Sequence, residues 1–274
     1  MLKQRVITAA VLFVVFTAVF FGASESVFQL VMAIVVAAAT YEWATLAGHN
    51  PRNSQITSAV VGFIVLLVNG FLLNSGFVGF TAWVVLLFWC FAFHKLRTAP
   101  VLRSIHRADW LNLSIGAALL VTTVVCMQAL RFNVPHASAW LLLYCMFLVW
   151  VMDTGAYFAG KRFGQNKLAP SISPGKTREG VIGGMAGACS LFLLTALFGR
   201  WPEGSVWAIL VASLVAAPFS VVGDLYESRI KRAAGAKDSS DLLPGHGGVL
   251  DRIDGLLATV PIFTAIYLWL VPAG

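Results

Sequence analysis

The chain has 274 residues, of which 59% are hydrophobic and only 11% charged, and its mean hydropathy is +0.83. Soluble domains carry about 25% charged residues, so this composition excludes a soluble globular protein and points to an integral membrane protein. The formal net charge of +7 is not read as a nucleic-acid footprint, because the cations are sorted between loops; no nucleic acid is expected as a partner.

A helix crosses a bilayer with about 20 apolar residues. In chain order, nine segments meet that description: 6–22, 27–47, 56–73, 77–93, 112–130, 138–160, 181–199, 205–224 and 255–272. The first follows Lys3 and Arg5 and precedes Ala23-Ser24-Glu25. That pattern also fits a cleaved signal peptide, but the length of the run and the apolar remainder favour a retained helix. The turns around Ser24 and around Asn74-Ser75-Gly76 are very short. The predicted fold is all-α: one polytopic membrane domain over 1–274, with N-terminal helices in 1–150 and the helices that carry the long polar loops in 151–274.

The loops test this count. With a cytoplasmic N-terminus, seventeen of the nineteen Lys and Arg fall on the inner side, Lys95, Arg97, Arg103 and Arg107 among them. Only Arg131 and Arg200 fall outside. That asymmetry is the positive-inside bias, and it sets the orientation. The nine tryptophans fall mostly near segment ends and read as interfacial anchors. Cys90, Cys126, Cys145 and Cys189 lie in apolar runs with no C-x-x-C spacing, so they read as buried thiols.

Two inner loops, 161–180 and 225–254, are longer than a connection requires and rich in Gly, Pro, Ser and cations. The first contains Ser173-Pro174-Gly175-Lys176-Thr177. It lacks the leading glycine and the preceding strand of a P-loop, so it reads as a cationic lid or a clamp for anionic lipid. Just before it, Asp153 lies near the inner end of the sixth segment. Glu42 lies in the second. Ionisable groups at membrane depth cost about 2.5–3.5 kcal/mol by insertion scales. Asp153 is therefore a candidate site residue, and Glu42 either a site residue or the partner of a buried donor.

The stretch from Ser228 to Asp254 gathers four carboxylates, five cationic side chains and one histidine. Asp224, Ser228 and Lys231 are spaced i, i+4 and i+7, which puts them on one helical face if the eighth helix continues past the membrane surface. Pro244-Gly245-His246-Gly247-Gly248 cannot be regular helix, and its glycines let backbone N–H groups approach an anion. Asp251 and Asp254 follow at the start of the ninth segment, where one carboxylate is accounted for by the helix dipole. Asp224 and Asp251 from neighbouring helices are the expected pair for Mg²⁺, a hard cation that keeps water and substrate phosphates in its shell. Lys231, Arg232, Lys237 and Arg252 are the expected phosphate contacts. His246 is either a ligand-facing donor or a turn residue.

The order Ser228, Lys231-Arg232, Lys237-Asp238, His246-Gly247-Gly248, Asp251-Arg252, Asp254 resembles the signature of the phosphatidate cytidylyltransferase family, the CDP-diacylglycerol synthases. The stretch from Asp153-Thr154-Gly155 through Ser173-Pro174-Gly175-Lys176-Thr177 to Glu179-Gly180 is similar too. Motif resemblance covers roughly residues 150–255. Gln165, Arg178 and Asp241 depart from the pattern. The lack of an organelle-targeting presequence sets the expectation of a bacterial inner membrane. The resemblance implies conversion of CTP and phosphatidate to CDP-diacylglycerol and diphosphate. It also implies Mg²⁺, a second monovalent cation such as K⁺, and a homodimer. It gives Asp224, Ser228, Lys231 and Asp251 the central roles at metal and phosphates. Asp153, Lys176, Arg232, Lys237, Asp238, His246, Gly247, Gly248, Arg252 and Asp254 are expected to surround the substrates.

Other readings are weaker. A polyprenol kinase does not account for the Lys-Asp, His-Gly-Gly, Asp-Arg order. A CDP-alcohol phosphatidyltransferase needs an Ala-Arg and trailing aspartates that Asp254-Gly255 lacks. An ion-coupled transporter built on Asp153, Asp224 and Glu42 would show matching halves, whereas the charge is crowded into the C-terminal half.

Overall fold

A helix stands at each of the nine predicted positions. The computed structural model describes residues 2–71, 75–98, 108–134, 136–199, 201 and 204–271. Arg103, Arg107, Arg200, Asn74 and the side chains of Lys3 and Arg5 lie outside the described residues. The helices are α1 (Leu2–Thr17), α2 (Glu25–Leu46), α3 (Pro51–Phe71), α4 (Ser75–Thr98), α5 (Trp110–Gln128), α6 (Ala139–Phe163), α7 (Arg178–Phe198), α8 (Ser205–Ala233), the single turn α9 (Leu250–Ile253) and α10 (Leu256–Leu270). Among the described residues, seven helices are long and apolar enough to cross a membrane.

The all-α expectation needs one amendment. Between α6 and α7, β1 (Lys167–Ala169) pairs antiparallel with β2 (Ser173–Thr177), with Lys167 opposite Thr177. The Ser-Pro-Gly-Lys-Thr segment, read above as having no strand before the helix, is itself a strand that runs into α7. Thr177 caps that helix, its Oγ1 accepting from Gly180 N at 3.1 Å.

α10 is the centre of the bundle. Every residue from Leu256 to Tyr267 is buried, as a helix apolar on all sides should be. Trp89 Nε1 on α4 donates to Leu257 O at 3.1 Å, Trp43 Nε1 on α2 to Asn112 Oδ1 on α5 at 3.0 Å, and Gln29 Nε2 on α2 to Val65 O and Leu66 O on α3. Trp43 and Trp89 are therefore core residues and not interfacial anchors: each indole buries its ring and spends its N–H on a neighbouring helix. Where helices come closest, glycine is required. A Cβ on Gly155 would lie 2.8 Å from Gly183 O across the α6–α7 contact, and one on Gly223 of α8 would meet the Asp254 carbonyl. Close backbone approach through small residues is the usual way helices pack in lipid.

Arg131 is likewise not a loop cation. α1 and α5 both end in a π turn, Ala18–Gly22 and Ala129–Asn133. The buried Arg131 guanidinium donates to Val19 O, Phe20 O and Ala23 O and lies over the Phe20, Phe28 and Phe132 rings. Carbonyls at a helix end commonly lack intrahelical partners; here one guanidinium serves Phe20 O and Ala23 O and also reaches Val19 O, which Ala23 N already bonds.

Candidate active site

α8 runs on to Ala233 and carries two i, i+4 pairs side by side. In the first, Ser228 Oγ donates to Asp224 Oδ1 at 3.2 Å. In the second, Lys231 Nζ stands 2.7 Å from Glu227 Oε2. Lys231 also donates to Asp251 Oδ1 at 2.6 Å. The face expected to hold Asp224, Ser228 and Lys231 is thus two adjacent stripes. Glu227, buried and facing the ammonium, is a member that the i, i+7 count did not single out.

Asp251 opens α9 directly after the glycine turn. Its Oδ2 accepts from Gly248 N at 2.8 Å, Ser239 N at 2.9 Å and Ser239 Oγ at 3.0 Å. The turn is closed by Leu243 N donating to Gly247 O and His246 N donating to Leu243 O. Gly245 and Gly247 have φ of 78° and 81°, a region that disfavours any side chain. A Cβ on Gly247 would lie 2.8 Å from Asp251 Oδ2. The glycines therefore serve the carboxylate at least as directly as they serve an incoming anion.

Glu42 is the buried partner for this loop. From α2 it accepts from Ser240 Oγ at 2.6 Å, Ser239 Oγ at 2.9 Å, Val249 N at 2.9 Å and Leu250 N at 2.8 Å. The last two N–H groups are orphans at the start of α9, and a carboxylate there also meets the positive end of the helix dipole. The sequence signal was the lone acid inside an apolar helix. It located the residue without naming its partner.

The hairpin reaches the same region from the other side. Lys176 Nζ on β2 lies 2.5 Å from Asp224 Oδ2. The hairpin is fixed at its base by Glu179, whose carboxylate accepts from Gln165 N, Asn166 N and Asn166 Nδ2. Asp153 on α6 is within Coulombic reach of Lys176 and Asp224. Asp254 is within reach of Asp224, Asp153 and Lys176, and Glu227 within reach of Asp254 and Asp251. The ion pairs thus form two groups, Lys176 with Asp224 and Lys231 with both Glu227 and Asp251.

The other expected residues divide by role. Arg232 Nη1 donates to Ala236 O and closes the end of α8. Arg252 Nε and Nη2 both donate to His246 O, so this guanidinium braces the glycine turn. The His246 Nδ1 is buried without a hydrogen-bond partner among the described residues, whereas Lys237 and Asp238 are exposed. Asp254 Oδ1 accepts from Gly255 N at 2.7 Å. Gly248 is packed so closely that a Cβ would lie 2.6 Å from Glu42 Oε2. Of the departures from the family pattern, Arg178 and Asp241 are exposed and Gln165 contributes its backbone N–H to Glu179.

Among the described residues, no three His, Cys, Asp or Glu side chains converge closely enough to hold a metal by themselves. Mg²⁺ does not need three, since water and phosphate complete its shell. Asp251 Oδ1 and both Asp224 oxygens have one partner each, so each retains acceptor capacity.

The cytidylyltransferase family model matches residues 3–270. A phosphatidate cytidylyltransferase of Pseudomonas aeruginosa is 40% identical over 269 residues, covering 98% of this chain and 97% of that protein. One from Haemophilus influenzae is 35% identical over 288 residues, covering 99% and 100%. One from Staphylococcus aureus is 45% identical over 126 residues, covering 46% of this chain and 48% of its own.

Proposed function

The chain belongs to the cytidylyltransferase family, and from that premise we propose that it is a phosphatidate cytidylyltransferase, making CDP-diacylglycerol and diphosphate from CTP and phosphatidate. The single observation that carries this reading is that the signature segment holds its acids in ion pairs with ammonium groups, Asp224 on α8 with Lys176 of the hairpin and Asp251 on α9 with Lys231. It supports a site for two polyanionic reactants, and 40% identity over nearly the whole chain to a protein of that name supports the activity.

Both reactants are anions, so their approach is opposed by charge. Asp224 and Asp251 would hold Mg²⁺, with a monovalent cation such as K⁺ alongside. A bound divalent ion supplies charge neutralisation at the phosphates and alignment of the groups. The chain's own residues do the rest. A lipid phosphate oxygen attacks the α-phosphorus of CTP, and diphosphate leaves in line. Lys231 sits between Glu227 and Asp251 and Lys176 is paired with Asp224, so an incoming phosphate is met by ammonium groups already in place. The buried His246 Nδ1 and the turn around Gly247 and Gly248 face the nucleotide, with Lys237 and Arg252 at its edge. No protein nucleophile is required.

All nine helices cross the bilayer, with the N-terminus and the two long loops in the cytoplasm. CTP enters from that side, and phosphatidate from the inner leaflet of a bacterial inner membrane. The protein works as a homodimer. Purified protein given labelled CTP, phosphatidate and Mg²⁺ should make CDP-diacylglycerol, and Asp251→Asn should abolish it. Absence of lipid-linked label with the unaltered protein defeats the proposal. Cation uptake without nucleotide turnover would favour the transporter reading.

A further inference from the structure

A cavity of about 640 Å³ lies between the last turns of α4, the β1–β2 hairpin, the start of α7 and the middle of α8. Its wall is apolar, with Leu96 from α4, Leu168 and Pro170 from the hairpin, and Val222 and Leu225 from α8. Among the described residues, Arg97, exposed in the last turn of α4, is its cationic residue.

The hairpin connects this cavity to the candidate site. Lys176 on β2 is paired with Asp224, while Leu168 and Pro170, from β1 and the turn, wall the cavity. On α8, Val222 and Leu225 line the cavity and Asp224 lies between them in sequence. Asp224 stands within one turn of that wall along the axis and about 100° round the helix from Leu225, so the hairpin, and not a shared face of α8, links the carboxylate to the cavity. A lipid whose phosphate met Lys176 and the Asp224 region would therefore carry its hydrocarbon past the hairpin to this space. Arg97 over the Phe93 ring, 5.8 Å from its centroid, is a planar cation suited to the ester and phosphate oxygens of such a lipid. A basic residue in the last turn of a helix also has a structural account in the dipole. That account does not explain an apolar cavity beside it.

We propose that this cavity receives one fatty acyl chain of the phosphate-bearing glycerolipid, ester end toward Arg97, so that the hairpin divides a polar reaction site from an acyl subsite. This rests on the cytidylyltransferase reading above and assigns the lipid substrate a specific seat, not merely the surrounding bilayer.

The test fills the cavity from two sides. Val222→Trp on α8 and Leu168→Trp on the hairpin are compared with unaltered protein in detergent, using CTP with dioleoyl or dihexanoyl phosphatidate. The ratio of kcat/KM for dioleoyl to that for dihexanoyl should fall roughly tenfold or more in both variants, the scale at which apolar pockets discriminate. An unchanged ratio in both means that bulk lipid fills the space, and overturns the proposal. No product from the unaltered protein with either lipid defeats the activity reading, and this proposal with it. If a variant does not fold, unaltered protein with phosphatidate bearing a diazirine on one acyl chain replaces it. Adducts on the hairpin or on 218–225 support the seat, and adducts only elsewhere overturn it.

Discussion

Glu42 on α2 and Asp251 on α9 share a single hydroxyl, Ser239 Oγ, which lies 2.9 Å from the first carboxylate and 3.0 Å from the second. A serine has one O–H proton, so it serves one acid at a time. Asp251 Oδ2 keeps two backbone N–H donors regardless. Through this one side chain, a helix of the N-terminal half fixes the position of an acid in the signature segment.

Glu42→Gln tests that linkage. The amide offers one acceptor oxygen, whereas the carboxylate offers two, and its NH₂ would face a donor at Ser239, Ser240, Val249 or Leu250. Leaving one buried N–H unserved costs about 1–3 kcal/mol. The expected outcome is a Tm lowered by several degrees together with a large loss of cytidylyl transfer. Ser239→Ala, which leaves the Val249 and Leu250 bonds intact, should lower both less. A Glu42→Gln protein with unaltered turnover would show that the loop holds its position without the acid.

Lys231 separates Glu227 from Asp251, at 2.7 and 2.6 Å. Lys231→Met leaves two carboxylates facing each other in a largely buried site, and breaking such a pair costs about 3–5 kcal/mol. Adding Glu227→Gln removes one of the opposed charges and should recover much of the melting temperature but none of the transfer activity. Recovery of both by the double variant would mean that Lys231 only neutralises its neighbours.

What was legible in the sequence follows from what each signal encodes. Hydropathy located the helices because burial in lipid demands a long apolar run, and α8 was extended past its predicted end because Asp224, Ser228 and Lys231 kept helical spacing. The hairpin was missed because strands of three and five residues, the second containing Pro174 and Gly175, carry no alternation to read. Glu42 was noticed as an expensive charge, but its partners lie about two hundred residues away. In the sequence Arg131 reads as an outer-loop cation, because its neighbourhood says nothing of the π-turn carbonyls on α1.

That last correction is measurable. Arg131→Met keeps some of the packing against Phe20, Phe28 and Phe132 but removes the donors to Val19 O, Phe20 O and Ala23 O. Val19 O keeps its bond from Ala23 N, but at about 1–3 kcal/mol for each other carbonyl left dry, thermal stability in detergent should fall sharply. The KM values for CTP and phosphatidate should stay near those of the parent, since none of these contacts touches the signature segment. A KM change without a stability change would contradict the structural role.

Metal dependence separates Asp224 from its neighbours. Chelation of Mg²⁺ should stop transfer reversibly, and Asp224→Asn and Asp251→Asn should each lower kcat by about a hundredfold or more, the scale seen when one preorganised electrostatic group is removed. Asp224→Asn also frees Lys176 from its ion pair. A Mg²⁺ titration shifted to higher concentration for these two variants, and not for Asp238→Asn on the exposed loop, would assign the ligands. Identical titrations for all three would remove Asp224 and Asp251 from that role.

Gly248 gives the strictest steric test, because everything around it is polar and already committed. A Cβ there would meet Ser239 Oγ and lie 2.6 and 2.7 Å from the Glu42 oxygens. Those atoms belong to a buried carboxylate with four donors, so the backbone of the turn must move instead. Its N–H donates to Asp251 Oδ2, and the movement therefore reaches the acid proposed to hold the metal. Gly248→Ala should lose most transfer activity while the helices remain folded, seen as a retained far-UV spectrum with a lower melting temperature. Gly175→Ala, where an added Cβ meets nothing within 4 Å, is the control for substituting a glycine in the other long loop. If Gly248→Ala were as active as Gly175→Ala, the close packing of Glu42, Ser239 and Asp251 would not be what positions the site.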